Sequence, residues 1–424
     1  MDAYDDEADT SGIFGGGGGA YYARGGDDPY IKLAAGTAAR GDPDADSAAS
    51  SDAGDWELRP DDLLLLAARN EDDVSHLEVW VFEEAAGAGD APNVYVHHDV
   101  LLAAFPLALA WLDAAPGGAS GNFCAVGSME PGIELWNLDV ADAVEPIAVL
   151  GPDAGAEAAA AGAAKASGEA PPARAKRSRR AAAAGGAHAD AVLGLAWNGE
   201  YRNVLASASA DRTVKVWDVA AGAAVATLTH HTGKVQAVAF NPAEPPILLS
   251  GGFDGRAVVA DVRAPARAPA AWVLGADVEA AAWDPASPTC FCVSTDDGVV
   301  SRFDARAGAG SAPLWRLSAH DKPATALSFC PAAPGLLATA STDKRVKLWD
   351  AAAPAPALVA ASDLKVGAVF AAGFCAASPS LLAAGGAKGA VAVWDVASEA
   401  AVRARWGKAL GGGGGGGGPA AAES

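Results

Sequence analysis

The stretch VKVWD at residues 214–218 recurs along the second half of the chain. Later copies are AVVAD (257–261), VSRFD (300–304), VKLWD (346–350) and VAVWD (391–395), and their final aspartates are 43, 43, 46 and 45 residues apart. Two earlier stretches, IELWNLD (133–139) and LEVWVFEE (77–84), are related copies. A period of about 40–45 residues with a Trp-Asp signature is typical of a β-propeller, in which each repeat forms a blade of four strands.

Trp136 precedes Trp217 by 81 residues, and removing an insertion at 152–187 returns that gap to one period. The sequence therefore predicts an all-β, seven-bladed propeller whose closure removes exposed sheet edges. The first copy is short of one strand, which we expect either from residues near Tyr30 to Leu33 or from the segment after Trp394. The seven copies are centred on Trp80, Trp136, Trp217, Ala260, Phe303, Trp349 and Trp394.

A second period concerns histidine and aspartate. In three copies a His precedes an Asp by 23 residues, and the aromatic position follows six residues after the Asp. We expect a turn Asp, a blade-edge His, a strand Ser or Thr and the Trp indole to share one buried polar network. This role is structural rather than catalytic or metal-binding. The predicted network residues are His188, Ser207, Asp211 and Trp217 in one copy, His231 and Asp254 in the next, and His320, Thr339, Asp343 and Trp349 in a third.

The pair His97-His98 suggests a metal site, but we interpret it as a blade histidine just after a strand. The chain has no phosphate-binding loop, metal-ligand cluster or nucleophile elbow, so we expect no cofactor, no bound metal and no enzymatic activity. Its five cysteines are scattered and lack any Cys-x-x-Cys spacing. We expect them to be buried free thiols in a reducing compartment.

Charge and composition divide the chain. Of its 424 residues 51% are hydrophobic, and 30 basic against 52 acidic residues give a net charge of −22, which excludes a mainly basic nucleic-acid clamp. Residues 1–62 carry 15 acidic and 4 basic side chains, half of that net charge. We predict a disordered acidic arm (1–55), a propeller (56–406) and a disordered Gly-rich tail (407–424). No 18-residue apolar run and no secretory signal is apparent, so no membrane association is expected.

The insertion at 152–187 is predicted to be disordered and to carry a basic cluster. A solvated loop needs no partner, but the isolation of this cluster in an acidic protein favours a nuclear import signal or a contact with phosphates of RNA or rDNA. Such a contact would be weak and without sequence specificity. The cluster residues are Arg174, Lys176, Arg177, Arg179 and Arg180.

Beyond the repeats, the chain contains NVYVHHDVLLAAFPLALAWLD, GNFCAVGSMEPGIELWNLDVADAVEPIAVLG and HADAVLGLAWN, followed by RNVLASASADRTVKVWD, HTGKVQAVAFNP and STDDGVVSRFDAR. In these stretches and in their order the chain resembles the periodic tryptophan protein 1 family, and the resemblance covers roughly residues 56–406. The weakened copies at Ala260 and Phe303 also fit the pattern. The resemblance implies a WD-repeat protein of the nucleus and nucleolus that acts in ribosome biogenesis and on ribosomal RNA gene chromatin.

We therefore expect a non-catalytic scaffold in rRNA processing or rDNA chromatin regulation, a monomeric propeller within a larger complex. Its expected partners are ribosomal or pre-ribosomal proteins and histones. The alternative is a substrate receptor of a cullin-type ubiquitin ligase. It rests on ADVR (260–263) and FDAR (303–306), which keep the Asp-x-Arg half of the Trp-Asp-x-Arg box that docks on a ligase adaptor.

Overall fold

The computed structural model describes residues 58–59, 62–84, 92–116, 118–151 and 186–411. Within these ranges the chain forms seven antiparallel sheets, one for each predicted repeat. The predicted acidic arm, the basic insertion and the tail beyond residue 411 lie outside the described residues, as does the segment Tyr30 to Leu33.

Blades 1 and 2 form before the insertion. Blade 1 has three described strands: β1 (Leu63–Glu71), β2 (Val74–Glu83) and β3 (Asn93–Leu102). Blade 2 has four: β4 (Pro106–Ala114), β5 (Ser120–Ser128), β6 (Ile133–Asn137) and β7 (Ala148–Leu150).

Blades 3 to 6 each have four strands joined in chain order. Blade 3 is β8 (Val192–Trp197), β9 (Val204–Ser209), β10 (Val214–Asp218) and β11 (Ala223–Leu228), and blade 4 is β12 (Val235–Phe240), β13 (Ile247–Gly252), β14 (Arg256–Asp261) and β15 (Ala270–Val273). Blade 5 is β16 (Val278–Trp283), β17 (Cys290–Thr295), β18 (Val299–Asp304) and β19 (Trp315–Ser318), and blade 6 is β20 (Ala324–Phe329), β21 (Leu336–Ser341), β22 (Val346–Asp350) and β23 (Ala357–Ser362). A 3-10 turn, Ala305–Ala307, follows β18.

In the described part of the chain, blade 7 has three strands: β24 (Val369–Phe374), β25 (Leu381–Gly386) and β26 (Val391–Asp395). A 3-10 turn (Val396–Ser398) and a helix, α1 (Ala400–Trp406), follow. The helix packs against β23, and its Trp406 indole donates to Pro334 O at 3.0 Å. The segment after Trp394 therefore lies on blades 6 and 7 as far as residue 411, and it does not supply the strand expected for the first copy.

The blades surround a common axis because their innermost strands contact one another in succession, from β4 through β8, β12, β16 and β20 to β24. Apolar side chains fill the space between neighbouring sheets. Leu205 and Trp217 of blade 3, for example, share one buried cluster with Leu112 and Ile133 of blade 2. Burial of this kind is the main stabilising contribution, at about 25 cal/mol per Å² of apolar surface.

All five cysteines are free thiols, and four of them are buried. Burial raises the pKa of the Cys124 thiol to about 12. A thiol with so high a pKa stays protonated at neutral pH and behaves as a small apolar side chain. No helix in the described part of the chain is long and apolar enough to cross a membrane.

Candidate functional site

Blade 3 contains a chain of hydrogen bonds that links its second and third strands to the loop before its first strand. The Trp217 indole donates to Ser207 Oγ at 2.8 Å, and Ser207 Oγ lies 2.6 Å from His188 Nε2. His188 Nδ1 lies 2.9 Å from Asp211 Oδ2. Because the indole can only donate and the carboxylate can only accept, the consistent arrangement is Trp to Ser, Ser to His and His to Asp. This direction requires a neutral His188 with its proton on Nδ1.

Blade 6 repeats this chain with threonine in place of serine. The Trp349 indole donates to Thr339 Oγ1 at 2.9 Å, and Thr339 Oγ1 lies 2.8 Å from His320 Nε2. His320 Nδ1 lies 2.8 Å from Asp343 Oδ2. Thus the structure brings together the four residues that sequence spacing predicts in each of these blades.

Blade 4 keeps the histidine and aspartate but has Ala260 at the aromatic position. His231 Nδ1 lies 3.1 Å from both carboxylate oxygens of Asp254, and His231 Nε2 lies 2.9 Å from Ser250 Oγ. A second imidazole is present here, since His230 Nε2 lies 3.2 Å from the same hydroxyl. Ser250 Oγ has one proton, which it donates to His231, so His230 must be the donor. His230 therefore takes the role that the indole has in blades 3 and 6.

Sequence reasoning missed two of these residues for different reasons. Ser250 lies four residues before Asp254, as Ser207 lies before Asp211, so the same spacing rule identifies it. No spacing rule identifies His230, because its role exists only where the tryptophan is replaced.

Blades 1 and 2 bind their indoles in another way. The Trp80 indole donates to Glu78 Oε2 at 3.0 Å, and the Trp136 indole donates to Glu134 Oε2 at 3.1 Å. In both cases the carboxylate lies two residues earlier on the same strand and the same face. The Glu-x-Trp pattern in LEVW and IELW was available in the sequence as a signal for this pairing.

Burial determines the charge of the network histidines. It lowers the pKa of His188, His231 and His320 despite their partner aspartates, which act in the opposite direction. It also lowers the pKa of His230, to about 4, with a smaller contribution from the charge of His231. All four imidazoles are therefore neutral at pH 7, as the hydrogen-bond directions require.

The pKa values of the network aspartates are also lowered, but here hydrogen bonds outweigh the opposing effect of burial. Burial raises the pKa of Asp211, but hydrogen bonds from His188, Thr213 and the Ala189 amide more than compensate and hold it below its usual range. The same balance lowers the pKa of Asp254 and Asp343. Buried groups satisfied in this way brace the turn between the second and third strands.

His97 and His98 lie within β3 rather than after a strand, so the expected position was wrong. The cause is a β-bulge: Val79 pairs with His98 and Trp80 with Val96, so that His97 is the extra residue. A bulge turns consecutive side chains towards one another, and the two Nδ1 atoms are 2.8 Å apart. No group of three or more metal-ligating side chains is found among the described residues.

Arg263 and Arg306, the arginines of the two Asp-x-Arg sequences, form matching ion pairs on blades 4 and 5. Each guanidinium makes a forked contact with the aspartate two residues before it, with closest distances of 2.7 Å to Asp261 and to Asp304. Their side chains remain 69% and 73% exposed. The arginines therefore brace their own blades and still present a face of the guanidinium to solvent. The basic cluster at 174–180 lies outside the described residues.

An apolar surface patch lies on the face of the ring that carries the network histidines and aspartates. Phe105 lies before the first strand of blade 2, as His188 lies before the first strand of blade 3. Met129 lies in the turn between the second and third strands of blade 2, which corresponds to the turn of blade 3 that contains Asp211. Met129 N donates to Phe105 O at 3.0 Å, and the two side chains are 52% and 59% exposed. Phe253, in the equivalent turn of blade 4, is also exposed.

Comparisons with known proteins agree with this architecture. The family model described as "WD domain, G-beta repeat" matches residues 185–218, 222–261 and 311–350. An uncharacterized WD repeat-containing protein of Schizosaccharomyces pombe is 40% identical over 380 residues, which cover 87% of this chain and 67% of the relative.

Two further relatives carry a more specific name. The periodic tryptophan protein 1 homolog of Drosophila melanogaster is 37% identical over 188 residues (44% of this chain, 34% of the relative), and periodic tryptophan protein 1 of Saccharomyces cerevisiae is 35% identical over 237 residues (49% and 37%). The matches thus span about a third of the length of these two relatives. The seven-bladed ring, its repeat signature and these relatives show that the chain belongs to the periodic tryptophan protein 1 family of WD-repeat proteins.

Proposed function

We propose that this protein is a non-catalytic scaffold in ribosome biogenesis, which acts in rRNA processing or in rDNA chromatin regulation through protein–protein contacts. The observation that carries the proposal is family membership together with a network of polar residues that is buried and used for bracing. His188, Ser207 and Trp217 are almost completely buried, so they offer no reactive group to a substrate. The residues that the ring exposes to solvent are therefore the ones that can contact partner proteins.

The patch at Phe105 and Met129 supports this role. Two large apolar side chains that are more than half exposed at adjacent loops favour a protein contact. The net charge of −22 favours basic partners, of which ribosomal proteins, pre-ribosomal proteins and histones are the classes we propose. The same charge makes any direct contact with RNA or DNA weak and confines it to the basic cluster at 174–180. Nuclear and nucleolar location belongs to the same proposal.

The test is affinity purification of the crosslinked protein from nuclear extract. The wild-type protein should recover pre-ribosomal or rDNA chromatin proteins, and the double variant Phe105→Asp/Met129→Asp should recover much less of them. Val144→Asp is the matched control, because Val144 is 89% exposed on the same blade and should tolerate the charge. Recovery of neither class of protein by the wild type would refute the proposal.

The second candidate function, a cullin-type ligase receptor, rests on the exposed guanidinium groups of Arg263 and Arg306. If it is correct, the ligase adaptor is recovered in the same purification, and the double variant Arg263→Ala/Arg306→Ala loses it. If the variant still recovers pre-ribosomal proteins, and the adaptor is absent from both the wild-type and the variant samples, the result favours the scaffold function.

A further inference from the structure

Blade 2 departs from the bracing network at both of its key positions. In blades 3, 4 and 6 the network histidine lies four residues before the first strand, and the aspartate lies two residues after the end of the second strand. The same positions in blade 2 are Leu102 and Glu130. Leu102 is buried but has no polar atom with which to hold a carboxylate, and Glu130 is exposed. The side chain of Asp211, by contrast, is only 10% exposed. Blade 2 therefore exposes a carboxylate at a position where those blades bury one.

Exposed apolar side chains continue from the patch at Phe105 and Met129 towards blade 1. Leu101, near the end of β3, is 63% exposed, and Val74, the first residue of β2, is 46% exposed. Both lie beside the loop that leads to Phe105, because the end of β3 pairs with the start of β2. We call these four residues the apolar strip. It crosses the ends of blades 1 and 2, and a concentration of exposed apolar side chains of this kind marks an interaction site.

Carboxylates lie at both ends of the apolar strip. Asp72 and Asp73 form the turn that precedes Val74 in blade 1, and Glu130 follows Met129 in blade 2. The segments that form the strip and its ends, 71–74, 101–105 and 129–132, contain no lysine or arginine. Their charge is therefore uniformly negative, and a partner that covers the apolar side chains is complementary only if it places cations at both ends.

The backbone of the patch is already hydrogen-bonded, so side chains rather than main-chain pairing must provide recognition. Met129 N donates to Phe105 O, and Glu130 N donates to Ser128 Oγ at 3.2 Å. A helix meets this requirement, because its own N–H and C=O groups are bonded internally. Its residues i, i+3, i+4 and i+7 also form one apolar face that matches a strip of apolar side chains.

We propose that the apolar strip binds a basic amphipathic helix of a partner protein. Aliphatic side chains of the helix cover Phe105 and Met129, and lysines or arginines towards its two ends pair with Glu130 and with the turn that contains Asp72 and Asp73. This inference rests on the proposed function, which requires a partner protein at this patch. It adds the secondary structure and the charge of the partner segment.

The same carboxylates argue against two other occupants of the strip. In a symmetric dimer each copy would place Asp72, Asp73 and Glu130 against a surface that carries the same negative charges. The phosphate backbone of RNA or DNA would be repelled for the same reason.

The experiment measures binding of a fluorescent helical peptide, KLKKLLKKLKKLLK, to the full chain by anisotropy. The comparison peptide, LKLKLKKKLKLKLK, has the same composition but alternates lysine and leucine over most of its length, as a strand does. We expect saturable binding of the helical peptide and binding about tenfold weaker, or none, of the alternating one. Phe105→Ala and Met129→Ala should each weaken binding of the helical peptide about tenfold. Glu130→Gln should weaken it about threefold and make its salt dependence shallower.

Two variants are matched controls and should bind the helical peptide as wild type does. Leu314→Ala removes an apolar side chain that is similarly exposed, at 55%, but lies on blade 5. Glu200→Gln removes an exposed carboxylate on blade 3. Equal affinity for the two peptides, or an equal loss of binding in Leu314→Ala and Phe105→Ala, overturns the proposal. So does a wild-type dimer that Phe105→Ala dissociates, because a second copy then occupies the strip.

Failure of this inference can be told apart from failure of the proposed function. If the wild-type protein does not bind the helical peptide but recovers pre-ribosomal proteins from nuclear extract, the inference is wrong and the proposed function stands. If it binds the peptide through Phe105 and Met129 but recovers neither pre-ribosomal nor rDNA chromatin proteins, the helix-binding strip is supported and the proposed function is wrong.

Discussion

His230 Nε2 lies 3.2 Å from Ser250 Oγ. The equivalent hydroxyls in blades 3 and 6, those of Ser207 and Thr339, accept a hydrogen bond from a tryptophan indole instead. The ring centroids of His230 and His231 are 4.9 Å apart, so two neighbouring imidazoles share one serine. Blade 4 thus retains a complete donor chain without a tryptophan. Although Ala260 replaces the tryptophan, the hydroxyl of Ser250 therefore still has a donor in His230.

Removal of the His230 donor should destabilise blade 4. We expect His230→Phe, which keeps a ring of similar size, to cost about 0.5–1.5 kcal/mol of unfolding free energy. The change should be non-additive with Ser250→Ala, because both variants remove the same hydrogen bond. Urea denaturation of the two single variants and the double variant measures this coupling. Strictly additive losses would show that the contact contributes nothing.

Asp211 should matter more to stability than Asp254. Asp211 accepts from His188 Nδ1 at 2.9 Å, from the Ala189 amide at 2.9 Å and from Thr213 Oγ1 at 2.7 Å, whereas the contacts of Asp254 with His231 are 3.1 Å long. We expect Asp211→Ala to cost about 1–3 kcal/mol and Asp254→Ala to cost less.

Thermal denaturation of both variants decides this ranking. Asp142→Ala serves as the control, since Asp142 is exposed and outside these networks. Equal decreases in Tm for Asp211→Ala and Asp254→Ala would contradict the order.

Stability should fall as the pH drops below about 6.5. The network histidines have a lower pKa folded than their ordinary value of 6.5, and that of His230 is about 4. The unfolded chain therefore binds more protons between pH 6.5 and about 4, which favours unfolding in that window. The pKa values of Asp211, Asp254 and Asp343 are also lowered on folding. Protonation of these carboxylates therefore reduces stability only below their ordinary pKa of 3.8.

Tm measured in steps from about pH 7.5 to pH 4.5 should decrease by several degrees in total. His230→Phe should show a shallower decrease, because one of the titrating groups is gone. A constant Tm across this window would mean that the histidines are not buried in their neutral form.

The sequence predicted those parts of the fold and the site that depend on regular strand geometry. A fixed strand and turn length gives the 23-residue spacing from His188 to Asp211 and from His320 to Asp343, and it also places Ser207 and Thr339 between them. These contacts are local to one blade. They could therefore be predicted without knowledge of how blades pack.

The features that escaped prediction depend on irregularity or on substitution. The bulge that turns His97 towards His98 is set by pairing between β2 and β3, which the pattern of apolar residues does not reveal. His230 is recruited only because Ala260 leaves a hydroxyl without its indole. The segment after Trp394 was one expected source of the missing strand of the first copy, but α1 packs against β23 instead, and this depends on the contact of Trp406 with Pro334.

The basic cluster should direct the protein to the nucleus. Replacement of all five of its residues by alanine should reduce nuclear accumulation, which fluorescence microscopy of the tagged protein measures. A variant with lysine at all five positions is the matched control, because it keeps the charge. Nuclear concentration of the alanine variant equal to wild type would exclude an import role. The five residues are Arg174, Lys176, Arg177, Arg179 and Arg180.

The acidic residues at the start of the chain should attract basic proteins. Half of the net charge lies within residues 1–62, and attraction of this kind is screened as the Debye length falls from about 10 Å at 0.1 M salt to about 3 Å at 1 M. We expect binding of histones or ribosomal proteins to weaken with salt. The salt slope should become shallower when five acidic residues are changed to their amides. These residues are Asp2, Asp5, Asp6, Glu7 and Asp9.

A charge-matched control separates position from net charge. Five substitutions to amides at exposed acidic residues of the ring change the total charge equally but leave residues 1–62 intact; Asp72, Asp142, Glu200, Asp321 and Asp363 are suitable. If both variants lose the same salt-dependent component, the attraction comes from the overall charge of the protein. If only the first variant loses it, the acidic segment is itself a docking element. Binding without salt dependence in the wild type and in both variants would assign it to uncharged surface on the ring, of which the patch at Phe105 and Met129 is the first candidate.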